Sequence, residues 1–105
     1  MADPELDELK REFLAEAQEK IEEIQATLNR ESSVQSFDRL VYLAHQLKGS
    51  GGSYGFQRIS TDAAELEKAI ENAATGDRSL DGEIRKHVES LRSEIERGTR
   101  ELAKA

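Results

Sequence analysis

The 105 residues contain no cysteine and no tryptophan, and only one proline and one methionine. Without cysteine there is no disulfide framework and no thiolate chemistry, which fits a reducing cytoplasm. Aromatic residues make up only 5% of the chain, so Leu, Ile, Ala and Val must supply the interior. No apolar run approaches the roughly 20 residues of a membrane-spanning helix. The opening, Met1-Ala2-Asp3-Pro4-Glu5, has neither the basic nor the apolar region of a secretory signal. Basic residues are also in the minority: 15 Lys and Arg stand against 22 Asp and Glu, a net charge of −7. That is the wrong sign for nucleic-acid phosphates and for anionic membrane surfaces. The expectation is a cytoplasmic protein that binds neither nucleic acid nor membrane. With its single proline at position 4, the chain reads as a soluble helical bundle, one domain over residues 1–105 with a modest core.

Periodicity supplies the helices. Leu6, Leu9, Phe13, Ala17, Ile21, Ile24 and Leu28 recur in steps of three and four, against an opposite face of Glu, Lys, Arg and Gln. This predicts a first helix of about 25 residues, starting near Pro4 or Glu5, with a break near its front allowed. Asp3 suits its N-cap and Pro4 its first position. Residues 29–33 are a polar connector. Ser36 is placed to cap the second helix, but Arg39 occupies the slot of a capping-box Glu or Gln. The second stripe is Phe37, Leu40, Val41, Ala44 and Leu47, and Gly55 ends the helix from the C′ position. A third helix opens at Gln57, Ser60 or Thr61, with Ile59, Ala63, Leu66, Ile70 and Ala73 or Ala74 as its stripe. Residues 75–79 are a turn. A fourth helix carries Leu80, Ile84, Val88, Leu91, Ile95 and Leu102, weakened at Gly82 and Gly98. Four amphipathic helices with short connectors predict an all-α, antiparallel up-and-down four-helix bundle, with a short extra helix or frayed turn allowed at either end.

The stretch from Ala44 to Phe56 holds one of two histidines and four of the seven glycines. His45 rides on the second helix, one position past an apolar residue, and so points away from the stripe. Glycine costs about 1 kcal/mol against alanine in a helix interior, so Gly49, Gly51 and Gly52 do not serve helix formation. Lys48 lies at i+3 from His45, Gly49 at i+4 and Gly52 at i+7, all on the imidazole's face. An imidazole beside an ammonium, on a surface stripped of bulk, suits a group that another protein must reach. Close helix packing is the competing role for Gly51 and Gly55, so access is assigned chiefly to Gly49 and Gly52.

The run His45-Gln46-Leu47-Lys48-Gly49-Ser50, then Gly51 and Tyr54-Gly55-Phe56, resembles the signature of histidine-containing phosphotransfer domains. Its Gly-Phe ending is most similar to the phosphotransfer domain at the front of chemotaxis histidine kinases. The resemblance implies a four-helix core and a catalytic group of His45, Lys48 and Glu67. His45 would attack through Nε2 and Lys48 would supply positive charge. Glu67 stands where the chemotaxis branch places a carboxylate that accepts from Nδ1–H. That branch often has a second histidine three residues earlier; here that slot is Ala64, so any network is shorter. The implied partners are a histidine kinase ATP-binding domain and a response-regulator receiver, docking on Val41, Tyr42, Gln46, Gly49 and Gly52 through a small, weak interface. No bound cofactor is implied. Mg²⁺ belongs to the receiver's acidic pocket. A monomer is expected, either free-standing or as one domain of a larger kinase.

Other motifs fail. The glycines have no following Gly-Lys-Ser/Thr and no preceding strand, so they are not a nucleotide-binding loop. Two histidines on different helices do not make a metal site, and His87 reads as a surface residue without a task. Nothing in the chain matches an ATP site. The rival class is a helical-bundle adaptor that docks signalling partners without chemistry.

Overall fold

The computed structural model describes residues 4–29, 34–74 and 81–104, the side chains of 34, 35, 74 and 81 excepted. It is an all-α four-helix bundle: α1 (Pro4–Leu28), α2 (Val34–Ser53), α3 (Gln57–Ala74) and α4 (Asp81–Lys104). The rod measures 49 × 20 × 20 Å. Each helix packs against two neighbours in the cyclic order α1–α2–α3–α4, and the diagonal pairs do not approach closely among the described residues. The α2–α3 seam is the most extensive, and the α1–α4 seam lies opposite it.

The core follows the stripes. Phe13, Ala17, Ile21 and Ile24 of α1, Leu40, Ala44 and Leu47 of α2, Ile59, Ala63, Leu66, Ile70 and Ala73 of α3, and Ile84, Val88, Leu91 and Ile95 of α4 are all buried. Leu28, Phe37, Val41 and Leu102 are partly buried against them. At roughly 1.5–3 kcal/mol for each large side chain taken out of water, this burial is what holds helices of modest intrinsic stability. Several positions differ from the spacing. Leu6 and Leu9 are 40% and 45% exposed, although α1 is unbroken. With 25 residues against 20 in α2, α1 runs past the α2–α3 turn, so its front has little to pack on. Leu14, Leu43 and Ala69 are buried although they fall off the expected stripes. Ser36 lies inside α2, which begins two residues earlier at Val34, so it does not cap that helix. Asp3, residues 30–33, residues 75–79 and Leu80 lie outside the described residues.

The α2–α3 turn lies wholly within the described residues. Gly55 has φ +83°, the left-handed conformation that favours glycine. The Gly55 N–H donates to the Gly52 carbonyl at 3.2 Å and the Phe56 N–H to the Gly51 carbonyl at 2.8 Å, the paired bonds of a Schellman cap. Phe56 then accepts from the Ser60 N–H at 3.0 Å, so α3 opens at Gln57. Phe13 of α1 stacks on both flanking rings, with centroids 5.4 Å from Tyr54 and 5.5 Å from Phe56.

Glycines here do three different jobs. Gly51 is buried, and a Cβ on it would fall 3.1 Å from the Ser60 backbone nitrogen and 3.2 Å from Ile59 Cγ2. That contact is with backbone, which cannot step aside. Gly98 occupies a core position of the α4 stripe; a Cβ there would meet Leu14 and Phe56 side chains at 3.3 Å. Gly49 faces open space, with nothing within 4 Å. Gly51→Ala is therefore expected to lose about 1–3 kcal/mol of stability by overpacking. Gly49→Ala should gain up to about 1 kcal/mol from helix propensity. Paired thermal melts check both, and a destabilised Gly49→Ala beside a neutral Gly51→Ala would contradict this assignment.

Candidate functional site

The approach of α2 to α3 at Gly51 sets the register for everything on that seam. One turn before Gly51, the Ser60 hydroxyl donates to the Lys48 carbonyl at 2.9 Å, tying the first turn of α3 to α2. A further turn along α2, and seven residues along α3, His45 and Glu67 come face to face. His45 Nδ1 lies 3.0 Å from Glu67 Oε2. The other carboxylate oxygen, Oε1, is 3.6 Å from Lys48 Nζ. The imidazole is 66% exposed and the Lys48 side chain 45%, while Glu67 is only 16% exposed.

This geometry assigns protons. An ionised carboxylate only accepts, so the hydrogen bond places the proton of the neutral ring on Nδ1. The Nε2 lone pair is then free, on a ring that stands largely in solvent. Nucleophilic imidazole needs this tautomer, and holding the second nitrogen is how a protein fixes it. Beside the ring, Lys48 puts a flexible ammonium within reach of an anionic group bound at Nε2. Gly49, one turn on, leaves the approach clear. Gly52 is less open: it is half-buried, and a Cβ there would touch Ser60 Oγ at 3.5 Å, an ordinary contact. Ala64, one turn before Glu67, adds no polar group to the pair. Among the described residues no cluster of three or more His, Cys, Asp or Glu is gathered as for a metal ion. Nor is any helix among them long and apolar enough to cross a membrane.

The residue pattern of a histidine-containing phosphotransfer site has a counterpart at the level of the whole chain, since the Hpt domain family matches residues 8–102. The chain belongs to the Hpt domain family. Hpt domains carry phosphoryl groups on histidine in phosphorelay signalling, and exchange them with kinases and response-regulator receivers. No curated protein and no solved structure matches this one.

Within this Hpt domain, the sequence-selected residues are not equally placed. His45, Lys48 and Glu67 form one contiguous group. Of the two candidate apolar docking residues, Tyr42 is 51% exposed, whereas Val41 is half-buried and packed on the core. Gln46 is half-buried and donates from Nε2 to the Tyr42 hydroxyl at 2.7 Å. His87 lies away from the site, 3.6 Å from Glu83 on its own helix. Two features escape sequence reasoning. Ser60 reads as one of three possible helix starts, with nothing to signal its bond to Lys48. Arg39 reads as a failed capping box, yet it makes two bonds to Glu23 of α1, from Nε at 2.6 Å and Nη2 at 3.0 Å. That hydrogen-bonded carboxylate raises the already high pKa of the guanidinium.

Glu67→Ala removes the only acceptor at Nδ1 among the described residues. Long-range ¹H–¹⁵N spectra of the neutral imidazole are expected to show Nδ1–H in the parent protein and a shift of the tautomer balance toward Nε2–H in the variant. An unchanged balance would mean that Glu67 does not orient the ring.

Proposed function

We propose that this Hpt domain is a phosphorelay carrier in two-component signalling, with His45 as the phosphorylated residue. The observation that carries the reading is the Glu67-held, two-thirds exposed ring of His45 with Lys48 beside it. The donor is the ATP bound by a histidine kinase's ATP-binding domain, or the phospho-aspartate of a receiver; the acceptor is a receiver aspartate. In loading, the Nε2 lone pair attacks phosphorus and forms the N–P bond as the bond to ADP or to the aspartyl oxygen breaks. The ring then carries positive charge, which the Glu67 carboxylate on Nδ1–H stabilises. Lys48 balances charge on the phosphoryl oxygens, where positioning and electrostatics supply most of the catalysis. In unloading the N–P bond breaks and the aspartate takes the group. Mg²⁺ acts from the receiver's own pocket, and the chain itself needs no cofactor.

The docking face takes in Tyr42, Gln46, Gly49 and Gly52 around His45, with Val41 contributing from beneath. A transfer complex must part after each event, which suits a small interface. The placement of Glu67 and the Gly55-Phe56 ending favour a chemotaxis-type pathway. Kinases and receivers act in the cytoplasm, and the reading places the chain there as a single monomeric domain.

Incubation with ATP and a cognate kinase domain tests the proposal. The parent protein is expected to gain acid-labile, alkali-stable phosphate, which is absent from His45→Gln. Lys48→Ala should slow transfer about tenfold or more, in line with loss of a charge-stabilising donor. Gly49→Ala should slow it while leaving the protein folded. Receiver binding with no label on His45 would instead make the chain an adaptor.

A further inference from the structure

Three large apolar side chains are exposed among the described residues: Leu6, Leu9 and Tyr42. The two leucines sit on the overhanging front of α1. Tyr42 is different, because it lies at i−3 from His45, about 5–6 Å away between Cβ atoms. A protein that docks over Nε2 comes within one helical turn of this ring.

The ring has a partner one turn to either side. Arg39, one turn back, places its Cζ 5.4 Å from the ring centroid, within the range of a cation–π contact. Gln46, one turn forward, donates to its hydroxyl at 2.7 Å. Arg39 is in turn gripped through two N–H groups by Glu23 on the neighbouring helix. The chain Glu23–Arg39–Tyr42–Gln46 thus runs from α1 to the turn that carries His45. Tyr42 does not belong to the packed core, so these contacts do not serve burial. They hold an exposed aromatic in one orientation, which lowers the ordering cost of docking it. Rigid tyrosines seated in a partner's pocket are the residues that dominate interface energies.

We infer that Tyr42, pre-set by Glu23 through Arg39, is the anchor by which a receiver domain is recognised. Tyr42 is the contacting residue. Glu23, on a helix that carries none of the phosphotransfer group, is a positioning residue that acts through Arg39. The inference rests on the phosphocarrier reading above.

The full chain can be loaded with phosphoramidate, a small donor that needs no docking: Nε2 attacks phosphorus, the P–N bond breaks and ammonia leaves. Transfer is then followed from equal amounts of phosphorylated protein to each receiver domain encoded in the source genome. Tyr42→Ala is expected to lower kcat/KM for the preferred receiver about tenfold, through KM rather than kcat, as truncation of an interface anchor does. Glu23→Ala should lower it by a smaller factor, again through KM. In the Tyr42→Ala background Glu23→Ala should do nothing further, the non-additivity of residues acting through one contact. Transfer by Tyr42→Ala within about twofold of the parent, smaller than any hot-spot loss, overturns the inference. So do equal effects of Glu23→Ala in both backgrounds, and acceptance by none of the receivers. A parent protein that takes no label on His45 overturns the carrier reading as well, a result visible before any receiver is added.

Discussion

The backbone contact between α2 and α3 at Gly51 is the constraint on which the site depends. Only a residue without a Cβ lets the first turn of α3 come this near, since Ser60 N would otherwise lie 3.1 Å from the added carbon. Once the two helices touch there, their relative register is set, and the Ser60–Lys48 bond secures it. Two regular helices then carry Glu67 to His45 without help from any loop. Sites built on rigid elements hold tighter geometry than sites on loops, and this one draws His45, Lys48 and Glu67 from the seam that is packed most closely. The glycine-rich sequence looks like a weak helix, and locally it is. What it forfeits in helix propensity is offset by the seam it allows.

Glu67 is shared. One oxygen holds the imidazole and the other faces an ammonium, so a half-buried carboxylate is balanced inside a protein whose net charge is −7. In the proposed cycle the partners change weight. Phosphorylation puts positive charge on the ring and an anion at Nε2. The carboxylate then matters more to the ring, and the ammonium more to the phosphoryl oxygens. Lys48 has the length and exposure to move between the two, while Glu67 stays in place. The arrangement needs no conformational change of the helices.

Much of this was legible in the residue order. The stripes of α2, α3 and α4 located the core because apolar burial at helical spacing is the dominant folding term, and Gly55 marked its turn because few residues tolerate positive φ. The expectation for α1 failed at Leu6 and Leu9, since periodicity shows which face is apolar but not whether a neighbour is long enough to cover it. Leu14 and Leu43 were missed for a related reason: a helix with two neighbours buries more than one stripe. Gly98 looked like a defect until Leu14 and Phe56 were seen filling its place. The site divides in the same way. The association of His45 with Lys48 follows from spacing within one helix. The pairing with Glu67 came only from family resemblance, because no periodicity reveals the register between two helices. The bonds of Arg39 to Glu23 and of Ser60 to Lys48 had no sequence signal at all, being long-range contacts between ordinary polar residues.

The ring of Phe13, laid between Tyr54 and Phe56, has a mechanical consequence. It rivets the tip of the histidine-bearing hairpin, on either side of Gly55, to the helix on its flank. The hairpin is therefore closed at its tip by a part that belongs to neither of its arms. Phe13 thereby adds an aromatic contact from α1 to both sides of that tip.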